Sequence, residues 1–351
     1  MNAEIETLRP AHEDLGGPAQ PLLSVRGLVK HFPLKRDLLS RRRGGNAVRA
    51  VDGVDFDVKK GETLGVVGES GCGKSTTARL VMQLIAQDRG ELVFDGVAVG
   101  SRALALREFR RQTQMVFQDS YSSLNPRMTI EDSIAFGPLV HGTPAREAIA
   151  VARGLLGRVG LDAPRFAGRY PHELSGGQRQ RVNIARALAL RPRLVILDEA
   201  VSALDKSVEA QVLNLLLDLK DDFGLTYMFI SHDLNVVRYI SDRVMVMYLG
   251  QVVELGPVDQ VYDTPRHPYT QALLRSMPSM EPGVRTESAP LAGDPPNPID
   301  PPSGCRFHTR CAQARAACAL EAPAMTQREG HAVRCLIHQP ESGYAASGAL
   351  S

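Results

Sequence analysis

Nine consecutive residues, Gly68-Glu69-Ser70-Gly71-Cys72-Gly73-Lys74-Ser75-Thr76, constrain this chain more than any other feature, because they satisfy G-x-x-x-x-G-K-[ST]. Residues 64–67 before them form a short apolar run of strand character, and 77–84 after them carry a helical pattern. The motif therefore sits in the strand, loop, helix order that a phosphate-binding loop needs. Gly68, Gly71 and Gly73 let successive backbone N–H groups curl around phosphate oxygens at a helix N-terminus. Lys74 reaches the β- and γ-phosphates, and Ser75, followed by Thr76, offers a hydroxyl to Mg²⁺. The implied ligand is a nucleoside triphosphate.

A second anion site is written at Leu174-Ser175-Gly176-Gly177-Gln178, just before a helical run in which Val182, Ala185 and Ala189 share a face. Ser175 is a natural N-cap, and the two glycines leave backbone N–H groups uncovered. Leu194-Val195-Ile196-Leu197 is then a continuous apolar run suited to a strand buried on both faces, and it ends in Asp198-Glu199. Acids at the carboxyl end of such a strand lie where doubly wound sheets bind ligands.

With the phosphate loop, these motifs resemble the ABC ATPases. In that family Ser175, Gly176, Gly177 and Gln178 correspond to the signature that faces the γ-phosphate held by a partner subunit. One copy of each motif then implies two chains or domains per working unit. The resemblance assigns Asp198 to Mg²⁺ and Glu199 to the general base that polarises the attacking water. Gln118, after the strand-like Met115-Val116-Phe117, matches the Q-loop glutamine that contacts Mg²⁺ and water. His232, after Tyr227-Met228-Phe229-Ile230-Ser231, matches the switch histidine. Ser202-Ala203-Leu204-Asp205 matches the D-loop, and Phe32 the aromatic on which adenine stacks. Ala200 stands where proline is usual, beside two intact acids.

The fold class implied is α/β: a P-loop ABC ATPase core with an antiparallel β subdomain, a helical subdomain and a Cys-rich C-terminal extension. The divisions expected are a tail over 1–20, an ATPase domain over 21–262 with its helical subdomain at about 120–180, an extension over 263–340, and a tail over 341–351. Within them, helices are expected over 130–136 and 145–159, and a hairpin over 245–253 turning at Leu249-Gly250. Residues 34–46 interrupt the first sheet with Lys35, Arg36, Arg41, Arg42 and Arg43, which suit either a solvated loop or contact with acidic headgroups. A formal net charge of +2 over 351 residues gives no reason to invoke nucleic acid. No apolar run approaches bilayer length and the acidic N-terminus is no signal peptide, so membrane attachment must come through a partner.

Beyond residue 262 the character changes. His267-Pro268-Tyr269-Thr270-Gln271-Ala272-Leu273-Leu274 resembles a motif of ATPases from oligopeptide, dipeptide and nickel importers, and 120–126 with 201–205 resemble the F-type subunit of their paired ATPases. The Pro-rich stretch 289–302 reads as a linker or wrapped segment. Four of the five cysteines follow, Cys305, Cys311, Cys318 and Cys335, while Cys72 reads as a small residue at a crowded turn. In a reducing cytosol such a group is a metal site more often than disulfides. Its spacing matches neither ordinary zinc pairs nor ferredoxin runs, so tetrahedral zinc, aided by His308, His331 or His338, stays open beside unmetallated thiols. The family resemblance implies a [4Fe–4S] cluster.

The chain is thus expected to bind and hydrolyse ATP with Mg²⁺ as a subunit of an importer for di- or oligopeptides, peripheral on the cytoplasmic face of the inner (cell) membrane. Its implied partners are a second ABC ATPase subunit, a D-type paralogue in a heterodimer, two transmembrane permease subunits and an extracytoplasmic solute-binding protein. The competing expectation, a soluble ABC ATPase acting on ribosomes or DNA, would usually show two P-loops or a long coiled coil, and neither is in this sequence.

Overall fold

The computed structural model describes residues 14–17, 19–34, 47–277 and 293–345. The basic cluster from Lys35 to Arg43, most of the expected N-terminal tail and the first part of the Pro-rich stretch lie outside them. Two compact units emerge, one made of Met1–Ser24, Asp57–Thr63 and Leu92–Ser231, the other of Val25–Phe56, Leu64–Glu91 and His232–Ser351.

In the first unit, strands Thr113–Val116, Leu194–Asp198 and Thr226–Ile230 pair in parallel, with Leu194–Asp198 in the middle. All five residues of both Leu194–Asp198 and Thr226–Ile230 are buried, which is why their sequences run apolar without alternation. Helix Lys206–Phe223 connects these two strands, as a parallel pair requires. Asp198 is thereby carried to the sheet's carboxyl edge, opposite Ile230.

Helices Ile130–Val140, Ala145–Arg158 and Gly176–Leu188 pack on one another in the same unit. Ala148, Ala152, Leu155 and Leu156 are buried at spacings of four, three and one, the single stripe that a surface helix needs. Thr129 caps Ile130–Val140 by accepting from the Asp132 N–H at 3.2 Å. That helix outruns the expected end at 136. Pro138 deletes only a last-turn bond, and the His141 N–H still reaches Gly137 O.

In the second unit, residues 64–67 pair in parallel with Arg243–Tyr248, which folds back antiparallel on Gln251–Pro257. Leu249 and Gly250 turn the hairpin where expected, both with positive φ (42° and 77°), the combination of a type I′ turn. The C-terminal extension continues this sheet: His331–Val333 pairs antiparallel with Gln251–Pro257 and then with Thr326–Arg328. A buried carboxylate joins them. Glu254 accepts from Arg266 N–H (2.6 Å), His267 N–H (3.0 Å) and His331 Nε2 (2.7 Å), and both it and His331 are fully buried. Burial opposes its ionisation, but these bonds prevail and hold the carboxyl below its ordinary range.

Candidate functional site

The phosphate loop leaves its strand at Val67 and enters helix Lys74–Val81. This helix begins three residues earlier than the sequence pattern suggests. Gly73 at φ 108° turns the chain directly into the first turn, and a side chain there would lie 2.3 Å from Ala50 O. At the other end Gln83, with φ 54°, and the Leu84 N–H to Arg79 O bond close the helix in a Schellman-type stop. Lys74 is buried, and its Nζ donates to Gly68 O at 2.6 Å and Glu69 O at 3.1 Å. Its ammonium is therefore curled within the loop. Cys72 is buried beside it, and burial pushes its thiol up.

Several contacts outside the motif hold this loop, and sequence reasoning missed them. The Tyr269 hydroxyl, on helix Pro268–Arg275, accepts the Glu69 N–H at 2.9 Å, while His267 Nδ1 caps that helix on the Tyr269 N–H at 3.0 Å. Arg310 donates two bonds to the Glu69 carboxylate, at 2.7 and 3.0 Å. Tyr248, Tyr269 and Phe307 stack edge-on or tilted with centroids 4.6–5.4 Å apart, joining the hairpin to the extension. The histidine-proline-tyrosine motif was visible, but nothing local in the sequence links it or Arg310 to residue 69, some 200 positions away.

In the other unit, Asp198 is buried and Glu199 is partly exposed at the strand end. Glu199 has φ 50°, a strained value for a side-chain-bearing residue, and its N–H is tied to Ile230 O at 2.9 Å. Gln118, just past the neighbouring parallel strand, donates from Nε2 to Glu199 Oε2 at 2.7 Å. The geometry therefore joins two residues that the family resemblance had singled out separately. Ala200, at the position following the two acids, is buried.

Ser175 caps Gly176–Leu188 through a capping box: its hydroxyl accepts the Gln178 N–H, and Gln178 Oε1 accepts the Ser175 N–H at 3.0 Å. The cap is exposed. A side chain at Gly177 would lie 2.5 Å from a Val208 methyl carbon, so close packing on helix Lys206–Phe223 demands glycine.

His232 is exposed, and Phe32 is 39% exposed with the Lys30 ammonium 5.6 Å from its ring centroid. Phe32 is thus a surface ring instead of a core one. Beside it, His31 Nε2 meets Asp52 Oδ1 at 2.9 Å, and Arg306 also binds Asp52.

The four tail cysteines line one apolar cavity with Phe307, Leu336 and Tyr344. Burial drives Cys305 up to about 11, Cys335 up to about 12 and Cys311 upward, the neighbouring thiols adding to it. Among the described residues, no three His, Cys, Asp or Glu side chains are gathered closely enough to hold a metal ion. Neither the cluster implied by the resemblance nor its zinc alternative is thus preformed by the described side chains, whose four thiols line the cavity.

Residues 51–202 match the ABC transporter family, and residues 253–318 match the oligopeptide/dipeptide transporter C-terminal region. Similar proteins include the oligopeptide transport ATP-binding protein AppF of Bacillus subtilis (strain 168), 49% identical over 325 residues that cover 91% of this chain and 98% of that one. The chain belongs to the ABC transporter ATP-binding proteins of the oligopeptide/dipeptide family. The dipeptide transport ATP-binding protein DppF of Haemophilus influenzae is 47% identical over 321 residues, 90% of this chain and 96% of that one. Among solved structures, cbiO1 from Clostridium perfringens, part of the transporter complex cbiONQ, aligns at TM-score 0.59 and 26% identity over 70% of this chain and 91% of its own. The dimeric cassette MJ0796 bound to ADP and Pi aligns at 0.58 and 26% over 67% and 98%. This ABC ATPase uses ATP and Mg²⁺, and among its described residues no helix is long and apolar enough to cross a membrane.

Proposed function

We propose that this chain powers the import of di- or oligopeptides by pairing with a D-type paralogue, each chain lending its signature to the other's nucleotide. The pair would sit peripherally at the cytoplasmic face of the cell membrane against two permease subunits fed by a solute-binding protein. The observation that carries the catalytic part is the hydrogen bond from Gln118 to Glu199. This contact supports the reading in which Gln118 and Glu199 act together on the attacking water.

In this reading Lys74 and the loop amides, with Gly68, Ser70, Gly71, Gly73 and Thr76 around them, take the phosphates, and Phe32 takes the adenine. Ser75, Asp198 and Gln118 hold Mg²⁺ and its water shell. Glu199 polarises the attacking water, and His232 bonds the γ-phosphate. Ser175, Gly177 and Gln178 close on the partner's ATP. The helical part at about 120–180 passes closure to the permease. The 21–262 and 263–340 divisions are kept as functional regions, with 341–351 as a terminal tail.

Cys305, Cys311, Cys318 and Cys335 are proposed to hold a [4Fe–4S] cluster. What supports this reading is that four thiols, the ligand number such a cluster takes, line one apolar cavity. When bound, the cluster would supply a covalent staple to a segment with little regular structure. Because burial favours the protonated thiol at Cys305, Cys311 and Cys335, loading would release protons.

The test is Glu199→Gln in the assembled importer. Hydrolysis should fall by about 10²–10⁴-fold with ATP still bound. Near-normal turnover would remove Glu199 from its role.

A further inference from the structure

Glu69 poses an electrostatic problem. A carboxylate inside a phosphate loop repels the triphosphate that the loop exists to hold, and the repulsion grows with each added phosphate charge. The chain meets this with Arg310. Its guanidinium, 5% exposed, makes a bidentate pair with Glu69 at 2.7 and 3.0 Å, while the Tyr269 hydroxyl takes the same residue's N–H. The same short segment makes a second strut. Arg306 donates to Leu249 O and Asp52, and the adjacent Gly250 N–H donates to Cys72 O of the phosphate loop at 2.8 Å.

We propose that Arg310 is a positioning residue for the nucleotide site: it neutralises and aims Glu69, so that the phosphate loop presents a net attraction to a triphosphate. The segment 305–311 is on this account part of the nucleotide-binding apparatus as well as the cysteine cavity. Arg310 acts through Glu69 and need not touch the nucleotide. The inference rests on the reading of residues 68–76 as the phosphate cradle.

The experiment measures ATP, ADP and AMP affinity of the full chain for the wild type, Arg310→Gln and the double variant Arg310→Gln/Glu69→Gln. Arg310→Gln should weaken ATP roughly tenfold, ADP less and AMP least, because repulsion scales with ligand charge. Adding Glu69→Gln should restore ATP to within about twofold, since the offending charge is gone. Equal weakening of all three nucleotides without restoration would reduce Arg310 to a structural staple and overturn the proposal, as would unchanged ATP affinity in Arg310→Gln. Should that variant fail to fold, Arg310→Lys carries the test: it keeps the charge and loses the fork, so it should bind ATP near normally, and a tenfold loss would contradict the electrostatic account. Lys74→Ala separates the two levels. If it binds ATP normally, the cradle reading fails by itself; if it loses ATP while Arg310→Gln does not, only the present inference fails.

Discussion

The phosphate loop and the signature loop are both helix N-termini with glycines and a hydroxyl, yet the chain finishes one and leaves the other open. Around the first, Lys74 is buried and bonded within the loop, Tyr269 and Arg310 grip Glu69, and Gly250 ties Cys72. At the second, Ser175 is exposed, and its capping box satisfies only the helix end itself. On the function proposed above, the contrast assigns nucleotide affinity to one chain and leaves the signature for a ligand that would arrive with another molecule. A loop that must hold ATP alone benefits from rigidity. A loop that completes another site needs only a set helix and an accessible face.

The largest effect expected from breaking this comparison separates binding from turnover. Lys74→Ala should weaken ATP by at least about a hundredfold, the range of a lost charge-assisted phosphate contact. Ser175→Arg should leave ATP affinity at its own phosphate loop within about twofold while blocking hydrolysis in the opposite site. Equilibrium nucleotide binding on each purified chain, set beside turnover of the assembled complex, checks both. Equal losses of affinity in the two variants would erase the distinction.

A smaller effect concerns the joint behind the phosphate loop. Glu254→Gln should cost about 1–3 kcal/mol of stability, since it replaces a fully buried acceptor of several bonds. Glu254 has its carboxyl lowered in the folded chain, so the stability it contributes is fully present above about 4.5, the ordinary value, and is lost as pH falls from there through the folded value. Thermal melts between pH 3 and 7 should therefore show a shallower acid limb in the variant, a range set by the ordinary carboxylate value. Parallel limbs would assign the acid sensitivity to other groups.

The cysteine cavity offers a finer test. Anaerobically purified chain should be brown with about four irons, and Cys318→Ser, outside the segment 305–311, should lose iron while still binding ATP. Colourless protein with about one zinc would restore the tetrahedral alternative.

Much of this was legible because periodicity and motif spacing are local. The all-buried strand 194–198 announced itself by an unbroken apolar run, and Ser175 by its cap chemistry. The hairpin turn at Leu249-Gly250 fell where expected, although leucine there adopts an unfavourable left-handed φ of 42° that no propensity would suggest. The early start of helix Lys74–Val81 escaped because Gly73 enters it from the left-handed region. What the sequence hid was long-range. Arg310 reads as one more charge beside a cysteine, and Glu254 as an acid in an apolar strand. Their partners lie 241 and 77 residues away, at Glu69 and His331. Only the folded chain brings such pairs together.

The central claim, a finished nucleotide cradle and an unfinished catalytic site in each chain, is tested most directly by dilution. ATP binding and hydrolysis by the same purified chain should be followed from concentrated to dilute protein, then again with its partner ATPase added. The account predicts that binding per chain stays constant, while specific hydrolysis falls toward zero on dilution and returns with the partner. Specific hydrolysis that is independent of dilution and equal to that of the assembled complex would show that one chain completes the site, and would contradict it.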